Sequence, residues 1–180
     1  MITFEEARTI ALKNIPSDCD ILPDSIIEKP YGWYFNFQSK EYIKTGNIRA
    51  ILVGGGGFVV EKESGKIFYF GSAFSVEENF KIYERGLIGR KDLIILKVRE
   101  LNESVRLLNR LQMTYVIPEF EHGVVWKIPK PYNEKQIKEA ITKLPFTFKN
   151  QIFSSRYDEF EKIDDSKCFD YELRAALKNK

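Results

Sequence analysis

Gly32-Trp33-Tyr34-Phe35-Asn36-Phe37-Gln38-Ser39-Lys40 decides how the first half of this chain is read. Aromatic residues alternate with smaller or polar ones from Trp33 to Gln38, the period-2 pattern of a strand. Alternation points Trp33, Phe35 and Phe37 to one side and Tyr34 to the other, with the first set in the core. Pro30-Tyr31-Gly32 supplies the turn before it. Further upstream, Ile21-Leu22 and Ile26-Ile27 are short strand material between turn-rich ends. Thr3-Phe4-Glu5-Glu6 opens a helix, with Thr3 as cap and Glu6 three residues on, as in a capping box. Phe4, Ala7, Ile10, Ala11 and Ile15 keep helical spacing up to Pro16, which stops the run.

Downstream, Lys40 to Gly57 reads as a long connection ending in four glycines. Phe58-Val59-Val60 and Ile67-Phe68-Tyr69-Phe70 then form a hairpin, with Gly65 free to take the positive φ its turn requires. Ser75 caps a helix whose apolar face carries Phe80, Tyr83 and Leu87. Gly86 to Lys91 is a linker, which places a domain boundary at residue 90. The second half begins with the strand Asp92 to Val98 and the helix Asn102 to Leu111. A hairpin of Thr114–Ile117 with Val124–Ile128 follows, then a helix capped by Asn133 and a strand at Phe146-Thr147-Phe148. The order β-α-β-β-α-β is the ferredoxin-like plan. The expected fold class is α+β: an N-terminal helix, antiparallel sheet and closing helix over 1–90, a ferredoxin-like domain over 91–153, and a helical acidic tail over 154–180.

Composition narrows the function classes. Of 180 residues, 43% are hydrophobic and 30% charged, which suits a globular protein and excludes a disordered chain. Net charge is only +2, so bulk charge selects no polyanion. Residues 91–150 alone lean basic, with 11 basic groups against 7 acidic. No run approaches the roughly 20 apolar residues of a membrane span. Met1-Ile2-Thr3-Phe4-Glu5-Glu6 carries acids where a secretory signal carries Lys or Arg, so a cytoplasmic location and no membrane partner are expected. Cys19 and Cys168 are far apart without CxxC spacing, and His122 is the single histidine. Neither a disulfide framework nor a metal site is indicated.

Gly54-Gly55-Gly56-Gly57 has the composition of a phosphate loop without its context. It leads into a strand, and Gly65-Lys66 is followed by Ile67 in place of Ser or Thr. A close-packed backbone corner is the better reading. His122 lies between Glu121 and Gly123 at a hairpin tip, where a general acid–base role with Glu119 or Glu121 would need a nucleophile from a distant segment. Base stacking on the ferredoxin-like sheet would rest on Trp126 almost alone, beside the aliphatic Val98, Val124 and Ile128. Glu5-Glu6 and Glu77-Glu78 sit at helix starts and complement the helix dipole. Asp158-Glu159 and Asp164-Asp165 form the tail's acidic run and offer a face to a basic partner. No catalytic, cofactor-binding or metal-binding residue is assigned.

The first 90 residues resemble the immunity protein 35 family. The resemblance is carried by Thr3-x-x-Glu6-Ala7, then Gly32-Trp33-x-Phe35-x-x-Gln38-Ser39-Lys40-Glu41-Tyr42-x-x-Thr45-Gly46, the Gly54–Gly57 turn, Glu61-Lys62-x-Ser64-Gly65-Lys66, and Gly71-Ser72-Ala73 before a helix ending Tyr83-Glu84. It implies a small bacterial α+β protein encoded beside a polymorphic toxin, which binds and neutralises that toxin without catalysis. Loops carry contact residues more often than the elements they join. The expected partner-binding residues are therefore Lys40, Glu41, Tyr42 and Lys44, with Asp158, Glu159, Asp164 and Asp165 as a second set. The rival readings are a general peptide-binding or chaperone-like module, an enzyme built on His122, and an RNA-binding ferredoxin-like domain; nucleic acid is disfavoured as a partner.

Overall fold

The computed structural model describes residues 1–176, which divide into two compact units, Met1–Phe80 and a second that starts at Lys81. The chain order of the first is α1 (Phe4–Lys13), β1 (Cys19–Ile21), β2 (Ile27–Lys29), β3 (Gly32–Phe35), β4 (Phe37–Ser39), α2 (Lys40–Thr45), β5 (Phe58–Glu61), β6 (Ile67–Tyr69) and the start of α3 (Val76–Glu84). α1 begins with the expected capping box: the Glu6 amide donates to Thr3 Oγ1 at 3.3 Å, and the Thr3 amide donates to Glu6 Oε2 at 2.7 Å. Both bonds satisfy helix-end donors that would otherwise lack partners.

Strands β2, β3, β5 and β6 form an antiparallel sheet in that order, with Trp33 opposite Val60 and Phe35 opposite Phe58. Ala7 and Ala11, both fully buried, let α1 lie close against one face, over Trp33, Phe35, Phe58 and Val60. The other face is also covered. Tyr34 stacks on Phe70 and meets Phe80 edge-on, each with 5.6 Å between ring centroids. β3 is thus buried on both sides, which explains its unbroken run of large side chains.

The expected single strand Trp33–Gln38 is two strands with different partners. Asn36 breaks it: its carbonyl accepts the Leu22 amide at 2.9 Å and its own amide donates to Ser25 Oγ at 3.2 Å. Its side-chain oxygen accepts the Phe37 amide at 2.9 Å. With its backbone groups engaged this way, β4 turns aside to pair with β1. Phe37 is accordingly only partly buried against the core that Trp33 and Phe35 join.

The second unit contains β7 (Arg90–Val98), α4 (Leu101–Arg110), β8 (Thr114–Glu121), β9 (Val124–Pro131), α5 (Glu134–Ile141), β10 (Phe146–Ile152), α6 (Tyr157–Ser166) and β11 (Phe169–Ala175). The expected β-α-β-β-α-β order is present, and the class is α+β throughout. The sheet differs from the ferredoxin-like plan. Its order is β10-β7-β11, all antiparallel, while among the described residues β8 and β9 pair only with each other. β11 pairs along β7 from Val98 to Lys91 and so fills the edge that β9 would need. The tail is therefore not wholly helical: α6 is followed by a strand, and residues 177–180 lie outside the described residues.

Leu93 and Ile95 of β7 are fully buried while Leu96 is exposed, so the sheet has one covered face. Val105 and Leu108 of α4, Ile137 and Ile141 of α5, and Phe160 and Ile163 of α6 bury their apolar stripes in the same unit. Phe153 and Phe160 meet edge-on at 5.3 Å. Gln151 is buried, and its amide clamps the start of the β8–β9 hairpin. Its Oε1 accepts the Thr114 amide at 2.8 Å and its Nε2 donates to the Thr114 carbonyl at 2.7 Å.

Candidate functional site

The connection from Lys40 to Gly57 is more ordered than its sequence suggests. Ser39 caps α2, its Oγ accepting the Tyr42 amide at 3.1 Å while donating to the Ala50 carbonyl at 2.5 Å. One hydroxyl thus starts the helix and holds the returning chain. Lys40, Glu41, Tyr42 and Lys44 stand on this short helix, not on a loop, because Ser39 and Gly46 provide a cap and a stop with only six residues between them. Asn47 then accepts the Arg49 amide at 3.1 Å and starts a 3-10 turn, Ile48–Ala50.

Two side chains tie down the rest. The Gln38 amide behaves as a strand partner for Leu52: Nε2 donates to its carbonyl at 2.9 Å and Oε1 accepts its amide at 2.8 Å. At the far end, the Tyr34 hydroxyl donates to the Gly56 carbonyl at 3.0 Å. Of the four glycines, Gly56 and Gly57 form the close-packed corner expected of the run, while Gly54 and Gly55 have open space around them. A Cβ on Gly57 would lie 2.5 Å from Tyr34 Oη and 2.6 Å from the Phe35 carbonyl oxygen, and Gly57 sits at φ +70°. Burial, and next the charge of Glu77, push the Tyr34 hydroxyl above the usual phenol range, so it remains the donor this bond requires.

With its backbone held, the segment turns apolar side chains outward. Val53 is 92% exposed and Ile48 79%, with Ile43 and Leu52 also exposed. Lys44 and Arg49 are exposed on the same segment. The arrangement offers a small apolar area with cationic neighbours and no acid–base constellation, suited to contact with another macromolecule. Sequence reasoning singled out the residues of α2 as loop residues, without the helix, and passed over Ile48, Leu52 and Val53, because isolated aliphatic residues in an aperiodic stretch carry no signal of exposure.

The expected residues divide by role. The Lys40 amine donates to the Ser17 carbonyl at 2.7 Å, and Glu41 accepts Asn47 Nδ2 at 2.9 Å. Tyr42 is half-buried and Lys44 exposed. In the second unit, Glu159 is largely covered, 2.8 Å from Lys162 and 3.6 Å from Arg110. Asp164 receives Arg85 at 2.8 Å and the Tyr171 hydroxyl at 2.8 Å. Burial, followed by this bond to Asp164, drives the Tyr171 hydroxyl far above its ordinary range. Asp158 and Asp165 are exposed on α6. The acidic run therefore divides into a covered Glu159, an exposed but paired Asp164, and Asp158 and Asp165 facing solvent.

His122 occupies the two-residue turn between β8 and β9 at φ +49°, followed by Gly123 at +78°. Its side chain is 90% exposed with Nδ1 3.7 Å from Glu121, and Glu119 lies 3.5 Å from Lys130. Solvent surrounds the imidazole where proton transfer would need a sheltered partner. Among the described residues, no group of His, Cys, Asp and Glu side chains is placed to hold a metal ion, and no helix is long and apolar enough to cross a membrane.

Comparison with known proteins bears on the first unit. Residues 11–83 match the model of the family described as Immunity protein 35. The match runs from the C-terminal part of α1 into α3 and contains α2 and the whole tied segment. The chain is also similar to the uncharacterized protein YrhB of Escherichia coli strain K12, at 42% identity over 53 residues. That alignment covers 29% of this chain and 56% of the relative, so the chain spans little more than half the length of the curated protein it matches. No solved structure matches.

Proposed function

We propose that this protein, carrying the immunity protein 35 pattern over residues 11–83, binds a toxin encoded by a neighbouring gene and blocks its action in the cytoplasm without catalysis. The observation that carries this reading is the family match, which includes the apolar, outward-facing segment Ile48–Val53. Tight binding favours a surface whose backbone is already ordered, since ordering on contact costs affinity. The Gln38, Ser39 and Tyr34 ties supply that order before any partner arrives. Ile48 and Val53 serve as apolar anchors, with Lys44 and Arg49 steering approach to a toxin surface of opposite sign. Lys40 and Glu41 hold the segment's shape, and Tyr42 supports it from the half-buried side.

Co-expression tests the reading. The neighbouring toxin should arrest growth alone and cease to do so with this protein, and the two should co-elute as a stoichiometric complex. Val53→Asp combined with Ile48→Asp should abolish protection while unfolding stays unchanged, because both side chains are exposed. Full protection by the double variant would remove this segment from the interface.

A further inference from the structure

The β8–β9 hairpin stands apart from the sheet of its unit as a two-stranded ribbon, eight residue pairs from Thr114↔Pro131 to Glu121↔Val124. At roughly 3.4 Å per residue its length is about 27 Å. Its register and two-residue turn make Glu121↔Val124 a hydrogen-bonded pair. The backbone groups of Thr114, Val116, Pro118 and Phe120, and of Val125, Lys127, Pro129 and Pro131, therefore point away from the ribbon. The Gln151 clamp on both backbone groups of Thr114 agrees with this phase.

Three of those eight outward positions are prolines, which offer no N–H. Both edges are closed in this way to an added strand, with Lys127 as a further block. A partner must meet the ribbon through its side-chain faces. On one face, at the foot, Tyr115 receives Gln136 Nε2 at 3.2 Å from α5. The opposite face carries Val116, Pro118, Phe120 and Val125, with Phe120 79% exposed. At its foot lies a groove of about 480 Å³ whose lining includes Arg90, Lys127 and Lys149 and no carboxylate. The nearby Asp92 carboxylate accepts the Asn150 amide at 2.7 Å.

We infer that this face is a second docking surface and that it takes an acidic surface of the toxin with an apolar centre: Phe120 and Val125 meet the centre, and Arg90, Lys127 and Lys149 meet its carboxylates. The inference rests on the toxin-binding reading above. Charge selects the occupant. A second copy of this chain would set like cations against each other across the same face, whereas an acidic partner neutralises them. The ribbon face presents one aromatic ring, Phe120, among Val and Pro side chains, and the groove's two tyrosines, Tyr115 and Tyr132, pack on each other with 4.9 Å between ring centroids, a composition suited to an apolar protein patch and poor for stacking successive bases.

The test uses the full chain and the purified neighbouring toxin, with binding measured by calorimetry and stopped flow at two salt concentrations. Phe120→Asp should weaken binding by about tenfold or more, as loss of a buried anchor does. Lys127→Glu with Lys149→Glu should slow association and flatten its salt dependence. Lys135→Ala, at an exposed position of α5, serves as a control and should change neither. If wild-type protein binds the toxin and the ribbon variants bind within about twofold of it, the inference falls and the toxin-binding reading survives. If wild-type protein does not bind the toxin, both fall. Salt-sensitive binding of single-stranded RNA, lost in the double Lys variant, would overturn the inference in favour of a nucleic-acid surface.

Discussion

Gly57→Ala should be among the most damaging single-methyl changes available in the first unit. The added Cβ would sit 2.5 Å from Tyr34 Oη and 2.6 Å from the Phe35 carbonyl oxygen, with the backbone at φ +70°. The left-handed conformation costs an L-residue about 1–2 kcal/mol. Relieving the contact means moving a strand carbonyl or Tyr34, and overpacking of this kind costs about 1–3 kcal/mol. Tyr34 cannot move cheaply, since it stacks on Phe70, meets Phe80 edge-on and donates to Gly56. The sum is about 2–5 kcal/mol. Two residues earlier, Gly55 has nothing within 4 Å of a built Cβ and does not sit at positive φ. Gly55→Ala should be neutral or stabilise by up to about 1 kcal/mol through the unfolded chain. Urea unfolding followed by Trp33 fluorescence in a Trp126→Phe background isolates the first unit, because these are the only two tryptophans. A Gly57→Ala midpoint within about 0.5 kcal/mol of its parent, or a Gly55→Ala loss as large as that of Gly57→Ala, would refute the packing argument.

Three further outcomes follow from the same reasoning. The Tyr171 hydroxyl is raised by burial and by Asp164, so the stability it contributes is complete below pH about 10, where the unfolded phenol begins to ionise. That stability is lost as pH rises toward the folded value. Tyr171→Phe should therefore flatten the alkaline decline by up to about 1.4 kcal/mol per pH unit relative to wild type, read from denaturation midpoints between pH 9 and 12. An unchanged slope would contradict the assignment. Gln151→Leu should cost about 2–4 kcal/mol, because both backbone groups of Thr114 lose their partner where Gln151 is buried. Amide exchange at Thr114 should rise with it. Gln38→Ala should free the Leu52 amide to exchange and weaken toxin binding, with a global loss below about 1.5 kcal/mol since its two bonds lie at the surface.

Local chemistry was readable where a signal was complete within a few residues. Thr3 with Glu6 and Asn133 with Gln136 both form capping boxes, and the glycine run packs as a corner at Gly56 and Gly57. Asn36 was not readable, since an Asn between Phe35 and Phe37 preserves strand alternation while its hydrogen bonds to Leu22, Ser25 and Phe37 break the ladder. Phe169, Tyr171 and Leu173 do alternate, but they follow an acidic helix and were absorbed into it. β9 and β11 both carry strand patterns able to compete for one edge of β7. The winner depends on the whole unit, which is why the ferredoxin-like order fails while its element sequence holds. In the candidate site, the charged residues of α2 stand out in the sequence by their polarity alone, which shows their exposure and not their helix. The exposure of Ile48 and Val53 arises from the Gln38 and Ser39 ties, which join residues up to 14 positions apart.

Calorimetric titration of this protein with the toxin encoded by its neighbouring gene tests the central claim most directly. The account predicts saturable one-to-one binding that Ile48→Asp with Val53→Asp abolishes, together with loss of growth protection. Absence of binding by the wild-type protein, or protection that persists without it, would contradict the account.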